Sequence, residues 1–292
     1  MTIEEAEHLM CGAIDMHIHT GPDIFPRLMT DIEAAREAKK AGLGGILIKS
    51  HVTITADRAA IATALAESPV YGAMALNYSV GGLNPHALDA GIRMGIKEVW
   101  MPTIHSAQYL RHAGHVPMFT KVLPKGLKGI CILKEDGNLV DDVYPILDMI
   151  AENDIILGTG HLSVEESLAL VTEAKRRGVE RILVTHPLAT FVGFTIDQMK
   201  EIIRRGATYL EHVFNDVTHQ VAHPIRPEAI AEAIKAVGAE HCIMSTDGGQ
   251  VINPPPVNMM AQFIVDMCRG GIPETDIAMM IKDNPRKILG LQ

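Results

Sequence analysis

Two histidines separated by one residue, His17 and His19, follow a short apolar run in the segment AIDMHIHTGPD. Side chains alternate between the two faces of a β-strand, so Asp15, His17 and His19 are expected to point the same way. Neutral imidazoles and carboxylates are ordinary ligands of Zn²⁺ and related ions. The segment therefore predicts a metal site at the end of a first strand.

Three further polar side chains follow apolar runs along the chain. His161 stands in TGH, His186 in THP and Asp247 in STD, each at or just after the end of a predicted strand. An ion with an open coordination position lowers the pKa of a bound water toward neutrality. If these residues meet His17 and His19, the resulting site would activate water.

The elements that must position these residues are read from the alternation of short β-prone runs with longer helical patterns, which is typical of parallel βαβ units. Eight strands are predicted, at 13–18, 45–50, 71–76, 97–102, 155–159, 181–185, 207–211 and 241–246. Eight helices are predicted, at 31–41, 57–67, 85–94, 141–152, 164–177, 196–205, 227–237 and 257–269. Capping-box pairs support three of the helix starts, namely Thr30 with Glu33, Ser163 with Glu166, and Thr195 with Gln198.

One apolar run, at 129–133, does not fit this alternation, because the Asp136-Gly137 pair that follows it predicts a hairpin turn. We assign about 104–140 as an excursion after the fourth strand. Eight strand–helix units remain, which predicts an α/β fold of the TIM (β/α)₈ barrel type, with active-site residues at the C-terminal ends of the strands. A doubly wound open sheet is the alternative, but no Gly-rich phosphate loop follows the first strand.

Composition restricts the possible partners. The chain of 292 residues has 26 Lys and Arg against 35 Asp and Glu, a net charge of −9 that disfavours nucleic acid. Four cysteines without CxxC spacing predict a reducing compartment without disulfides. Without a signal-like N-terminus or a bilayer-length apolar stretch, we expect a cytoplasmic protein that binds no membrane. No linker marks a boundary, so 1–292 is taken as a single domain, and a homo-oligomer is left open.

The order and placement of His17-x-His19, His161, His186 and Asp247 resemble the pattern of the amidohydrolase superfamily of metal-dependent hydrolases. The HTGPD, IKSH and TGH segments resemble an uncharacterised subgroup of such barrels. The resemblance implies that His17, His19 and Asp247 bind one divalent metal, while His161 and His186 bind a second or complete the first site. It implies one or two ions, with Zn as the first choice and Mn or Fe as alternatives.

The resemblance also implies a mechanism. Asp247 takes a proton from the metal-activated water and later delivers it to the leaving group, while Asp15 orients an imidazole from behind. The expected reaction is hydrolysis of an amide, cyclic amide, lactone or related small polar substrate, with phosphoester hydrolysis kept alongside. A mononuclear metal-dependent decarboxylase or lyase is the alternative among enzymes. A catalytically inactive metal- or ligand-binding barrel is the non-enzymatic alternative.

The sequence departs from this family in the position of its lysine. Amidohydrolases often bridge two metals with a carboxylated lysine on strand four, but KEVWMPT has no lysine near its C-terminal end and Lys134 falls on the hairpin. Lys49, near the tip of strand two, is a candidate bridging or catalytic group, and His51 is expected to face the same way. A structural lysine paired with Glu211 is the alternative, so the number of metals stays open.

Several other side chains have both a functional and a structural interpretation. Arg27 could bind a substrate carboxylate or phosphate through its planar guanidinium, or form a surface ion pair. His51, His212 and His241 could each be hydrogen-bonded structural histidines. The excursion could form a lid over the site or a solvated loop, and it carries His105, Arg111, His112 and His115.

Overall fold

A computed structural model describes residues 1–112, 122–124 and 126–291. All the strand pairs in it are parallel, in the orders β1-β2-β3 and β4-β5-β6-β7-β8-β9. The strands are β1 Ile14–Ile18, β2 Gly45–Ile48, β3 Val70–Tyr71, β4 Ala73–Ala75, β5 Glu98–Trp100, β6 Ile156–Gly158, β7 Ile182–Thr185, β8 Tyr209–Val213 and β9 Cys242–Ser245.

The strands surround a common interior. β3 and β4 follow each other across Gly72, while Ile18 forms a parallel bridge with Gly248, just beyond β9. Inward side chains from around the ring form one buried apolar cluster, which includes Ile14, Met16, Leu47, Ala73, Ala75, Trp100, Ile156, Leu183, Tyr209 and Ile243. A shared interior is the feature that distinguishes a barrel from an open sheet, so the predicted TIM (β/α)₈ fold is confirmed.

The helices occupy the connections between strands. They are α1 Ile3–Leu9, α2 Asp31–Lys40, α3 Ala56–Ala66, α4 Pro85–Arg93, α5 Ala107–Arg111, α6 Val143–Glu152, α7 Val164–Arg176, α8 Ile196–Arg204, α9 Pro227–Val237, α10 Pro256–Arg269, α11 Glu274–Ala278 and α12 Asn284–Leu289. The capping boxes at Thr30, Ser163 and Thr195 are all formed. Among the described residues, no helix combines the length and apolar character needed to cross a membrane.

The predicted strand at 71–76 is interrupted at Gly72. A Cβ atom on Gly72 would lie 2.5 Å from the Cα of Ala56, where α3 begins, so a helix backbone approaches the strand at this point. The strand is therefore divided into β3 and β4. Four short helices, α1, α5, α11 and α12, lie outside the eight predicted ones, because helices of five to seven residues carry too few periodic positions to be recognised from periodicity.

The excursion after β5 contains the predicted hairpin. Leu133 pairs with Leu139 in an antiparallel bridge, and the Lys134 N–H donates to the Asn138 carbonyl at 2.8 Å. The Lys134 side chain forms an ion pair with Asp141 at the surface. The hairpin and the exclusion of Lys134 from the barrel are confirmed.

Candidate metal centre and active site

His17 and His19 emerge from β1 at an irregularity in its pairing with β2, between Asp15 and Ile18. The Nε2 atoms of both rings point at the same carboxylate oxygen, Asp247 Oδ1, at 3.2 Å for His17 and 3.0 Å for His19. One ligand atom from each of these three buried residues lies within 4.8 Å of the other two. The structure thus brings together the predicted ligands from β1 and from the end of β9.

Glu211 on β8 lies behind His17, with its Oε2 3.2 Å from His17 Nδ1. A hydrogen bond donated by Nδ1 leaves the Nε2 lone pair directed at Asp247, which is the arrangement that a metal ligand needs. The prediction that Asp15 orients an imidazole is wrong. Asp15 accepts hydrogen bonds from the His17 backbone N–H and from both the N–H and hydroxyl of Thr246, so it joins β1 to the end of β9.

The backbone of Asp247 has φ 49°, a left-handed conformation that is unusual for a residue other than glycine. Hydrogen bonds from amide side chains hold it there: Asn215 donates to Oδ2 at 3.0 Å and Gln250 donates to the main-chain carbonyl at 2.6 Å. The Asn253 amide in turn donates to the side-chain oxygens of Asn215, Gln220 and Gln250. This buried amide network fixes the direction in which the Asp247 carboxylate points.

His186, at the end of β7, also has a left-handed backbone, with φ 52°. Its Nδ1 lies 3.2 and 3.3 Å from the two carboxylate oxygens of Asp216, and its Nε2 lies 3.7 Å from Asp247 Oδ2. Burial acts to lower the pKa of His186, but the Asp216 and Asp247 carboxylates together raise the pKa above the usual value. Asp216 thus orients His186 as Glu211 orients His17.

His161 and His51 also line the cavity beside His19 and His186. His161 is buried, and neither of its ring nitrogens has a hydrogen-bond partner among the described residues. Its ring centroid lies 5.4 Å from that of His186 and 5.9 Å from that of His51. His161 therefore has two nitrogens available for a metal or a substrate.

His51 is held by a directed chain of hydrogen bonds. The Asn77 amide donates to the Thr103 hydroxyl at 2.6 Å, and that hydroxyl lies 2.9 Å from His51 Nδ1. The Thr103 hydroxyl accepts from Asn77 and can donate its own proton to Nδ1, and in that tautomer the His51 proton lies on Nε2. His51 is thereby prepared to donate a hydrogen bond rather than to ligate through that nitrogen.

Lys49 follows β2 and is buried, with 1% of its surface exposed. Its Nζ lies 3.0 Å from His17 Nε2 and 4.6 Å from the centroid of the Trp100 ring. Burial lowers the pKa of Lys49, while nearby Asp247 and Glu211 act to raise it. Within the described chain, the Lys49 side chain hydrogen-bonds to His17. It does not form the direct ion pair with Glu211 that the structural alternative predicted.

Arg27 lies in the loop after β1, and its side chain is buried rather than on the surface. Its Nε and Nη2 atoms bind the Asp23 carboxylate at 2.9 and 2.8 Å, and Nη2 is also 3.3 Å from His19 Nδ1. Nη1 is buried and has no hydrogen-bond partner among the described residues. Arg27 therefore does form an ion pair, but the pair is buried and not at the surface as the alternative predicted.

A small cavity, with a water-accessible volume of about 20 Å³, opens beside these groups. Six of the predicted residues line it: His19, Lys49, His51, His161, His186 and Asp247. The sequence analysis missed the other lining residues, which are Tyr109, Phe191, Asn215, Asp216, Gln220, Val221 and Gln250. The polar run NDVTHQ directly after β8 was a usable signal for Asn215, Asp216 and Gln220, since it occupies the same position as the other strand-end motifs.

Other candidates lie outside the cavity. His105 accepts a hydrogen bond from the Tyr78 N–H, and Arg111 and His112 contact Gln108. None of the three lines the cavity. Among the described residues of the excursion, Tyr109 does. His115 lies outside the described residues.

Two further histidines, His212 and His241, also lie away from the cavity. His212 is buried on β8, and its burial lowers its pKa to about 4. His241 ends a short 3₁₀ turn before β9. Their structural interpretation fits these positions.

The donor set fits a divalent ion. Burial holds the pKa of His17 and of His19 well below the usual value, so both imidazoles are neutral, as metal ligands must be. Two neutral imidazoles and one carboxylate with an adjoining cavity match a catalytic site that keeps a coordination position open. His17, His19 and Asp247 are the residues that would hold the ion.

The fold and this cluster define a class: a parallel α/β barrel with metal-competent residues at the carboxyl ends of its strands. An amidohydrolase from Pseudomonas aeruginosa is 12% identical, with 99% of this chain and 98% of that chain covered and a TM-score of 0.59. A dihydroorotase is 15% identical, with 97% and 70% covered and a TM-score of 0.58. An amidohydrolase from Burkholderia multivorans with bound zinc is 11% identical, with 96% and 99% covered and a TM-score of 0.52.

These likenesses show that the chain has the fold of the amidohydrolase superfamily, as the sequence resemblance implied. A search of curated proteins finds no match. Residues 12–211 match the model of the family of unknown function DUF6282, and the chain belongs to that family.

Proposed function

We propose that this protein is a metal-dependent hydrolase that activates water for attack on a small polar substrate, with an amide, cyclic amide or lactone carbonyl as its target. The observation that carries the proposal is the convergence of His17, His19 and Asp247 beside a cavity. The shared fold with amidohydrolases supports it.

A divalent ion held by His17, His19 and Asp247 would supply Lewis acidity, which polarises the substrate and makes water more acidic. Zinc is the first choice because nitrogen and oxygen donors suit it, and a protein of this fold has been solved with zinc. Mn and Fe are alternatives. His161 and His186 would hold a second ion or complete the first site.

Asp247 is proposed to accept a proton from the attacking water and to deliver it to the leaving group. The geometry that supports this role is the division of its two oxygens: Oδ1 faces the paired histidines, while Oδ2 faces Asn215 and His186. The amide network keeps this division fixed, so the carboxylate needs no reorientation during the reaction.

Three further side chains are proposed to act on the substrate or beside it. His51, with its proton on Nε2, would donate a hydrogen bond to a substrate oxygen. Arg27 would attract an anionic substituent, since its Nη2 lies beside His19 and its buried Nη1 has no hydrogen-bond partner among the described residues. Lys49 would act as a cation or, if it were carboxylated, as a bridge between two ions.

The cavity suggests the shape of the substrate. Tyr109, Phe191 and Val221 line it with apolar surface, while Asn215, Gln220 and Gln250 line it with amide groups. The cavity has a water-accessible volume of about 20 Å³, enough for about one water molecule. We therefore propose a small substrate that presents an apolar group together with the polar carbonyl.

A mononuclear lyase, such as a decarboxylase, is the second candidate. Within the described residues, the group that meets the distance requirement of a metal site contains three residues, which suits one ion. The adjacent Arg27 and Lys49 could hold a carboxylate that the reaction removes.

The first experiment is the metal content per chain, measured by elemental mass spectrometry on protein purified without chelators. We expect one or two equivalents of Zn, Mn or Fe in the native protein and loss of the metal in the His17→Ala, His19→Ala double variant. About two equivalents with release of amine or acid from a panel of amides and lactones would support the hydrolase. About one equivalent with carbon dioxide release from small carboxylates would favour the lyase, and no metal even after supplementation would contradict both.

A further inference from the structure

Three charged side chains, Lys49, Glu98 and Glu211, are buried together inside the barrel beneath His17. Glu98 lies on β5 and Glu211 on β8, and neither carboxylate has any measurable exposure. Both oxygens of Glu98 and Oε1 of Glu211 lack a hydrogen-bond partner among the described residues. Burial and the neighbouring Glu211 raise the pKa of Glu98 well above its usual value, while Lys49 acts to lower it.

The contact that Lys49 makes competes with metal binding. The Nε2 atom of His17 faces Asp247 because Nδ1 faces Glu211, so Nε2 is the nitrogen that would bind the ion. Lys49 Nζ donates to this same nitrogen at 3.0 Å. An ammonium group and a divalent cation cannot share one lone pair, and their charges repel, so Lys49 must leave His17 when the ion binds.

The barrel interior below His17 contains side chains that can bind the displaced ammonium group. Trp100, whose ring lies 4.6 Å from Nζ, and Glu98 are two residues apart on β5 and therefore share its inward face. Gly158 on the neighbouring strand lets these two side chains pack directly against its backbone, since a Cβ on it would lie 2.6 Å from Glu98 Oε1 and 2.4 Å from Trp100 Cδ1. The flexible stem of Lys49 allows its head to move along this face.

We propose that Lys49 is a displaceable cation and that Glu98, helped by Glu211, receives its ammonium group when a divalent metal binds His17. Glu98 is then a positioning residue for the metal centre, and Lys49 stays a free amine. The proposal rests on the metal binding of the proposed function. Its physical basis is that a buried cation driven off one partner is costly unless an anion takes it up, and the approach of Lys49 favours the ionised form of Glu98.

The test is a double-mutant cycle on Zn²⁺ affinity, measured by competition with a chromogenic chelator at fixed pH. We expect Glu98→Gln to weaken Zn²⁺ binding by about 10- to 100-fold, because an amide cannot neutralise the displaced ammonium. In the Lys49→Met background, Glu98→Gln should change the affinity by less than about threefold. Glu201→Gln on α8 is the control for removal of a carboxylate remote from the site, and its affinity should equal that of the native protein.

A second measurement uses native Glu98. Trp100 is the single tryptophan of the chain, so its fluorescence reports on Lys49 without a label. Zn²⁺ should change the Trp100 emission of the native protein, and this change should be absent from Lys49→Met even though that variant binds Zn²⁺.

Three results would overturn the proposal: an equal effect of Glu98→Gln with and without Lys49, an unchanged Trp100 response in Lys49→Met, or a carbamate signal in ¹³C NMR that Lys49→Met abolishes. Any of these with Zn²⁺ binding and hydrolysis intact would leave the proposed function standing. Failure of the native protein to bind Zn²⁺, Mn²⁺ or Fe²⁺ would remove both proposals.

Discussion

At the scale of single residues, Asp247 carries the largest share of the proposed chemistry. It is the carboxylate on which His17 and His19 converge, and its second oxygen faces the cavity side of the site. Its left-handed backbone is retained because Asn215 and Gln250 hold both its side chain and its carbonyl. Such a strained position, kept by several surrounding contacts, is a common property of functional residues.

We predict that Asp247→Asn lowers the turnover number at least about 100-fold, since an amide cannot carry the proton between water and leaving group. Substrate binding should be retained, because the amide occupies the same space. The measurement is steady-state kinetics at saturating metal, with Asp197→Asn at the surface of α8 as the matched control. An unchanged turnover number in Asp247→Asn would refute the assigned role.

Asp15 predicts a dependence of stability on pH. Burial raises its pKa to about 7, although the hydrogen bonds from Thr246 and His17 act to lower it. The unfolded chain loses the Asp15 proton near pH 3.8, the ordinary pKa of an aspartate, so between about pH 4 and pH 7 the folded state binds more protons. This residue therefore contributes stability at low pH that is lost as the pH rises toward 7.

Asp15→Asn removes this titrating group. The amide oxygen can still accept hydrogen bonds from the backbone N–H groups, and the Thr246 hydroxyl can rotate to accept one from the amide N–H. We expect the variant to lose less stability than the native protein between pH 5 and pH 7.5. Urea denaturation at several pH values measures the difference. Parallel pH curves for the two proteins would contradict the prediction.

At the scale of elements, the loops after β1 and β9 must approach closely for His19 and Asp247 to meet. Gly249 makes this approach possible: its φ is 106°, and a Cβ on it would lie only 1.7 Å from the His19 carbonyl oxygen. The Leu28 N–H donates to the Gly249 carbonyl at 2.8 Å, and the His19 N–H donates to the Gly248 carbonyl at 2.8 Å. Backbone contacts of this kind hold the two ligand-bearing loops together.

We predict that Gly249→Ala destabilises the protein by about 2–4 kcal/mol through the clash and the left-handed backbone. It should also weaken metal binding, because the loop must shift away from His19. Thermal denaturation and chelator competition measure the two effects. Gly21→Ala is the control, since a Cβ there would meet its nearest neighbours at 3.7 and 3.8 Å. A loss of stability in this control as large as that of Gly249→Ala would contradict the explanation.

At the scale of the whole molecule, metal binding should stabilise the fold, because the ligands come from β1 and β9 and are assembled only in the folded chain. At a free concentration of 100 times the dissociation constant, one ion contributes about 2.7 kcal/mol. For a protein of this size, that corresponds to a rise of roughly 4–5 °C in the melting temperature.

We therefore expect Zn²⁺ to raise the melting temperature of the native protein and to leave that of the His17→Ala, His19→Ala variant unchanged. Differential scanning fluorimetry with and without a chelator measures this shift. An equal rise in both proteins would place the ion elsewhere.

Cytoplasmic location, a single domain over 1–292 and assembly into a homo-oligomer stay predictions.

The sequence by itself predicted the barrel and the residues that meet at the candidate site. Helix caps and hydrophobic periodicity are local signals, and ligand residues at the ends of parallel strands must meet at one end of a barrel whatever the details of packing. That is why His17, His19, His161, His186 and Asp247 could be grouped before any coordinates were considered. Strand alternation likewise predicted that Lys49 and His51 face the same way, and both line the cavity.

Only the tertiary structure decided which carboxylates support these ligands. Glu211 and Asp216 reach their imidazoles across 194 and 30 residues of chain, and Asp15 turns to Thr246 because of the irregularity in β1. The same holds for the buried pairing of Arg27 with Asp23 and for the contact of Lys49 with His17. The physical reason is that the hydrogen-bond partner of a buried polar group depends on distances between elements remote in sequence, which no local pattern encodes.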